Sequence, residues 1–157
     1  MRRFVTDTHA LLWHFMRNRK LSRKARQIFQ AADSGIVQIL VPSIVLIEVV
    51  YIFARNNIPQ EILERVFALT EEIEANYCVV PLNMKVAYAF REFGPAAIPE
   101  MPDRIIATTA RSLNAPLPPL TRPSARASWW KLYGEMASQP GGGTPQIQPS
   151  LLRKGSP

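Results

Sequence analysis

Apolar residues fall along this chain in blocks of two kinds. Phe4-Val5, residues 36–41 and residues 77–82 are short runs rich in β-branched side chains, bounded by polar or turn residues, and they predict strands. Between them apolar positions recur at helical steps. Ala10, Leu11, Leu12 and Trp13 make one such block, Ala25, Ile28, Phe29 and Ala32 a second, and Ile62, Leu63, Val66, Phe67, Leu69 and Ile73 a third. Cap signals support the boundaries. Thr6 or Asp7 can cap the first helix, Ser22 the second, Ser43 the helix over residues 43–55 and Asn83 the helix over residues 84–93. Gly35, Gly94-Pro95 and Asn114-Ala115-Pro116 are stop signals, and Pro102-Asp103 suits a helix's first turn. Residues 117–121 would form a last strand, although Pro118 and Pro119 fit only an edge or a bulge. Strands alternating with helices predict a three-layer α/β/α fold around a central parallel sheet.

Residues 43–55 are apolar almost all round and predict a buried helix that encloses one carboxylate, Glu48. An ionised group in such company is costly unless it is paired, hydrogen-bonded or bound to a cation. Residues 36–54 approach membrane-spanning length, but Gln38, Pro42, Ser43 and Glu48 lie inside them and argue against a span. Asp7 and His9 interrupt what would be the apolar core of a secretion signal after Met1-Arg2-Arg3. Cys78 is the single cysteine and lies in the run Tyr77-Cys78-Val79-Val80, which reads as a buried strand; a chain that can form no internal disulfide fits a reducing, cytoplasmic setting.

A length of 157 residues with 47% hydrophobic content suits one domain with a substantial core. From Ser138 the composition turns to Gln, Pro, Gly and Ser, which predicts a disordered tail over residues 136–157 after a domain over residues 1–135. Gly141-Gly142-Gly143 lacks the context of a phosphate-binding loop. The net charge is +7 and the bases cluster: Arg17, Arg19, Lys20, Arg23, Lys24 and Arg26 in one set, Arg104, Arg111, Arg122, Arg126 and Lys131 in another. Patches of this kind attract polyanions, nucleic acid first among them. The glutamates at 61, 64, 71, 72 and 74 read as one solvated helix face.

The acids Asp7, Glu48 and Asp103 stand apart from that face. Asp7 follows the first predicted strand, Glu48 lies on the helix after the second, and Asp103 opens the helix that leads to the last. Open parallel sheets place their ligand crevice at the carboxyl ends of the strands, where such a fold can gather all three. Clustered carboxylates stay ionised when cations lie among them, and hard oxygen donors select Mg²⁺ or Mn²⁺. Metal-assisted phosphoryl transfer is the chemistry this outlines. For Asp7 a capping role accounts for the residue as well as a chemical one does.

D-T-H-A-L-L-W over residues 7–13, P-S-I-V-L-I-E over 42–48 and P-D-R-I-I-A-T-T-A over 102–110 resemble the PIN domains, and within them the VapC-type ribonuclease toxins of bacterial toxin–antitoxin pairs. The likeness covers about residues 1–135. It implies that Asp7, Glu48 and Asp103 are catalytic and bind Mg²⁺ or Mn²⁺, with Glu100 as an added metal ligand and Thr8 toward the substrate; Arg104 can hold a phosphate or balance Asp103, and His9 can reach the substrate or serve the fold. It implies RNA as substrate, a cognate antitoxin protein, a homodimer, and hydrolysis of an RNA phosphodiester. One position departs from the pattern: where such toxins show Thr or Ser, one residue, then a fourth Asp, this chain has Thr121-Arg122-Pro123. Three carboxylates and water then hold a first metal, and a second binds weakly. A haloacid-dehalogenase-like phosphatase is excluded, since His9 stands where it needs a second Asp. A PIN-like module that binds antitoxin or RNA without efficient cleavage is the remaining alternative.

Overall fold

In the computed structural model the described residues are 1–55, 58–71, 76–92, 98 and 100–118. They form β1 (Arg2–Val5), α1 (Thr8–Phe15), α2 (Arg23–Asp33), β2 (Val37–Pro42), α3 (Ser43–Ala54), α4 (Gln60–Glu71), β3 (Tyr77–Val80), α5 (Met84–Glu92) and α6 (Met101–Ser112). The strands make a parallel sheet in the order β1-β2-β3, with Phe4 opposite Ile39 and Leu40 opposite Cys78. Helices cover it in the three-layer α/β/α arrangement that the alternation of strands and helices predicts. The expected disordered tail, Pro123 and all but the first two residues of the expected last strand lie outside the described residues. Leu117 and Pro118 form no strand, but just before them the Pro116 carbonyl accepts a 2.9 Å hydrogen bond from the Val5 N–H at the end of β1.

Burial follows position in the sheet. β2 is central and nearly all of it is buried, as a parallel strand covered on both faces must be. Among the described residues β3 is flanked by β2 alone, and its pattern departs from the buried strand expected: Tyr77 is buried, Cys78 half-buried and Val79 exposed. Val5, Ile39 and Val41 from the sheet meet Leu11, Phe29 and Ile106 from the helices in one core.

α3 corrects the reading most. It is a helix, but only Val45 and Val49 are buried, while Ile47 is 63%, Val50 44% and Tyr51 57% exposed. Its inner side packs on β2, α1, α4 and α6; nothing among the described residues covers the outer side. Ser43 is also not the N-cap. It is the first residue of the helix, after Pro42, and its hydroxyl accepts from the Leu82 N–H at 3.1 Å, so it ties α3 to the segment after β3. The Gly94-Pro95 stop signal lies outside the described residues, while the cap signals at Ser22 and Asn83 and the stop at Gly35 hold. Ser22 caps α2 through the Ala25 N–H at 3.0 Å and Asn83 caps α5 through Val86 at 3.2 Å. Gly35 leaves α2 at φ 74°, a left-handed conformation that costs a residue without a Cβ little.

At the far end of α1 lies a polar cluster, half-buried at His14 and open to solvent at Asp33. The Tyr77 hydroxyl donates to Asp33 Oδ1 at 2.6 Å, and His14 Nε2 lies 3.3 Å from Asp33 Oδ2. The His14 ring stacks on Phe29 at 4.5 Å between centroids and 11° between planes. Burial lowers the His14 pKa below its ordinary 6.5 against the opposing pull of Asp33, with Arg65 and Arg26 adding to the lowering; burial and the bond to Asp33 push the Tyr77 phenol up. His14 is therefore held neutral in the fold and protonates more readily in the unfolded chain, so its contribution to stability is complete above about pH 6.5 and is lost as pH falls through its lowered value. The melting temperature is expected to fall between pH 7 and pH 5, and less steeply in His14→Gln. Parallel wild-type and variant curves over that range would remove His14 as the cause.

Candidate functional site

Where β1 runs out, the ladder continues for one more bond, from the Thr6 N–H to the Leu40 carbonyl at 3.0 Å. Asp7 therefore stands just past the carboxyl end of the sheet, the position where open parallel sheets bind ligands. It is also the N-cap of α1. Its Oδ1 accepts from the Ala10 N–H at 2.7 Å and its carbonyl from the Leu11 N–H at 3.1 Å. The two readings open in the sequence are thus compatible, because the cap uses one oxygen of the carboxylate, at a helix N-terminus where negative charge is favoured.

β2 ends at the same end of the sheet, since the strands are parallel, and α3 starts there at once. Glu48 lies about 7.5 Å along the helix axis from Ser43, at 1.5 Å per residue. It is half-buried, and its Oε2 accepts a 2.6 Å hydrogen bond from the Thr8 hydroxyl. That bond brings together two stretches forty positions apart in the sequence, joining the acid of α3 to the turn that carries Asp7. Thr8 is itself 2% exposed, so in this arrangement it faces Glu48 and not the solvent from which a substrate would come.

Asp103 lies in the first turn of α6, where its charge suits the helix dipole, and α6 packs on β1 and on α3. It is 8% exposed and Asp7 7%, so both aspartates are buried, in contrast to the surface glutamates Glu61, Glu64 and Glu71 of α4. Two buried carboxylates on neighbouring elements are costly unless donors or cations meet them. Glu100, the N-cap of α6, is exposed; it makes no side-chain cap bond, and its carbonyl accepts from the Arg104 N–H at 3.1 Å.

Arg104 has a fold role besides any toward a ligand. Its Nε donates to the Ile98 carbonyl at 2.8 Å and its guanidinium lies over the Phe90 ring, 5.2 Å from the centroid, pinning the approach to α6 against α5. His9 is half-buried on α1 with its ring 5.7 Å from that of Trp13. The sequence named the acids but missed the Thr8–Glu48 bond, and no local signal carries a contact between residues that distant.

The donor chemistry fits a hard divalent cation, carboxylate oxygens being the ligands Mg²⁺ and Mn²⁺ prefer. Among the described residues no three His, Cys, Asp or Glu side chains close around one point. A cation of this kind keeps several waters and is commonly held by one or two carboxylates, so such a closed ring is not required of the side chains.

Among curated proteins no match to the chain is found. The family model of the PIN domain matches residues 4–117, a stretch that runs from β1 past the end of α6 and includes Asp7, Glu48 and Asp103; the chain belongs to the PIN domain family.

Proposed function

We propose that this PIN domain is a metal-dependent endoribonuclease, the toxin of a toxin–antitoxin pair, with Asp7, Glu48 and Asp103 holding Mg²⁺ or Mn²⁺ and Glu100 at the rim. PIN domains are generally nucleases and typically depend on a divalent metal. The observation that carries the reading is the 2.6 Å bond from Thr8 to Glu48, which draws the acid of α3 to the acid-bearing turn at the carboxyl end of β1. When bound, the cation supplies Lewis-acid stabilisation of phosphate charge and a more acidic water. The chain's own groups do the rest. Asp7 and Asp103 present buried carboxyl groups from the starts of two helices, and Glu48 accepts the Thr8 hydroxyl beside them. Arg17, Arg19, Lys20, Arg23 and Lys24, exposed in and after the loop that follows α1, offer an RNA backbone a run of cations.

A second copy of the chain and a cognate antitoxin are the proposed protein partners. The exposed apolar stripe Ile47, Val50 and Tyr51 on α3 supports an association surface, and the sedimentation mass of the free protein checks the dimer. The lone Cys78 is in keeping with a cytoplasmic site of action.

The test is cleavage of structured RNAs with and without added Mn²⁺. Slow, Mn²⁺-favoured cleavage is expected, because Pro123 occupies the place of a fourth acid, and Pro123→Asp should raise the rate. If neither protein cleaves any structured RNA in the presence of metal, the chain is a binding module.

A further inference from the structure

The hydroxyl of Thr8 is spent on Glu48 and the residue is all but closed to solvent, so a direct contact with substrate is not what the side chain offers. At 2.6 Å the bond falls in the range of an O–H donor meeting a carboxylate, shorter than a neutral pair. Glu48 has three rotatable side-chain bonds and is half-buried, so fixing one orientation of its carboxylate costs side-chain entropy. Thr8 is well suited to select it. Its β-branch restricts χ1 and its backbone is the first of α1, whose start is set by the Asp7 cap. One turn of chain thus places two acids, Asp7 through its own cap and Glu48 through the hydroxyl of the next residue.

We infer that Thr8 is a positioning residue, which orients Glu48 toward the divalent cation proposed for Asp7, Glu48 and Asp103. The inference rests on that proposed site and concerns its affinity for metal. Groups that hydrogen-bond a ligating carboxylate fix its direction, and their loss weakens metal binding by about 10–100-fold. Valine has the shape of threonine without the hydroxyl; serine has the hydroxyl without the methyl.

The measurement is calorimetric titration of Mn²⁺ into the full chain, for wild type, Thr8→Val, Thr8→Ala, Thr8→Ser, Glu48→Gln and the Thr8→Val/Glu48→Gln pair, with melting curves to confirm folding. Thr8→Val is expected to weaken Mn²⁺ by about tenfold, with Thr8→Ser close to wild type. In the Glu48→Gln background Thr8→Val should add little, because a residue acting through Glu48 has nothing further to orient. Thr8→Ala serves as the second hydroxyl-free variant if Thr8→Val does not fold. Unchanged affinity in a folded variant without the hydroxyl overturns the inference while leaving the metal site standing, as does an equal loss with and without Glu48. A wild-type chain that takes up no Mn²⁺ overturns the metal site and this inference together.

Discussion

Asp7→Asn is expected to melt with the wild type and to lose metal-dependent RNA cleavage by more than about a hundredfold, the upper range for losing a group that merely supports a ligand. The contrast follows from the cap that Asp7 makes in the fold and the metal-binding role proposed for the same carboxylate. Asn is as good an N-cap as Asp, so its side-chain oxygen can take over the bond from the Ala10 N–H and α1 keeps its start. What it lacks is the negative charge, and that is the property a hard cation needs. Asp7→Ala removes both, and should in addition cost about 1 kcal/mol of stability. Melting curves and cleavage rates of the two variants separate the roles. If Asp7→Asn cleaves at the wild-type rate, Asp7 is a cap and nothing more.

Phe29→Ala carries the largest expected effect on stability. Phe29 has no exposed surface, lies on the inner face of α2 and stacks flat against His14. Truncation removes the ring's burial, leaves a cavity in a close-packed layer and takes away the stacking partner of a half-buried imidazole, for a loss of about 3–5 kcal/mol. In a chain of this size that is roughly a 10 °C fall in melting temperature. Urea unfolding of the variant gives the loss directly. A value under about 1 kcal/mol would mean that α2 does not dock on the domain through this residue.

Local chemistry was legible in the residues alone. Ser22 and Asn83 cap their helices, Gly35 and Asn114 end theirs in left-handed backbone, and Asp103 opens α6, because each depends on a few neighbouring backbone groups. The strands were legible too, as short β-branched runs between such signals, and with them the layered parallel fold. The candidate acids stood out for a related reason: Glu48 is the single charge in an apolar helix, and Asp7 follows a strand. What pairs with what was decided only when the chain closed on itself. Apolar composition could not say which side of α3 the core would take, and so Ile47 and Tyr51 were expected inside and lie outside. Ser43 has the chemistry of a cap, yet its hydroxyl serves Leu82, because the helix begins one residue earlier than a Ser43 cap would set it. Cys78 reads as interior from its run but is half-buried, on a strand with one neighbouring strand among the described residues. The Thr8–Glu48 bond and the His14, Asp33 and Tyr77 cluster join residues from separate elements, and their hydrogen bonds exist only where tertiary packing sets those elements a few ångströms apart.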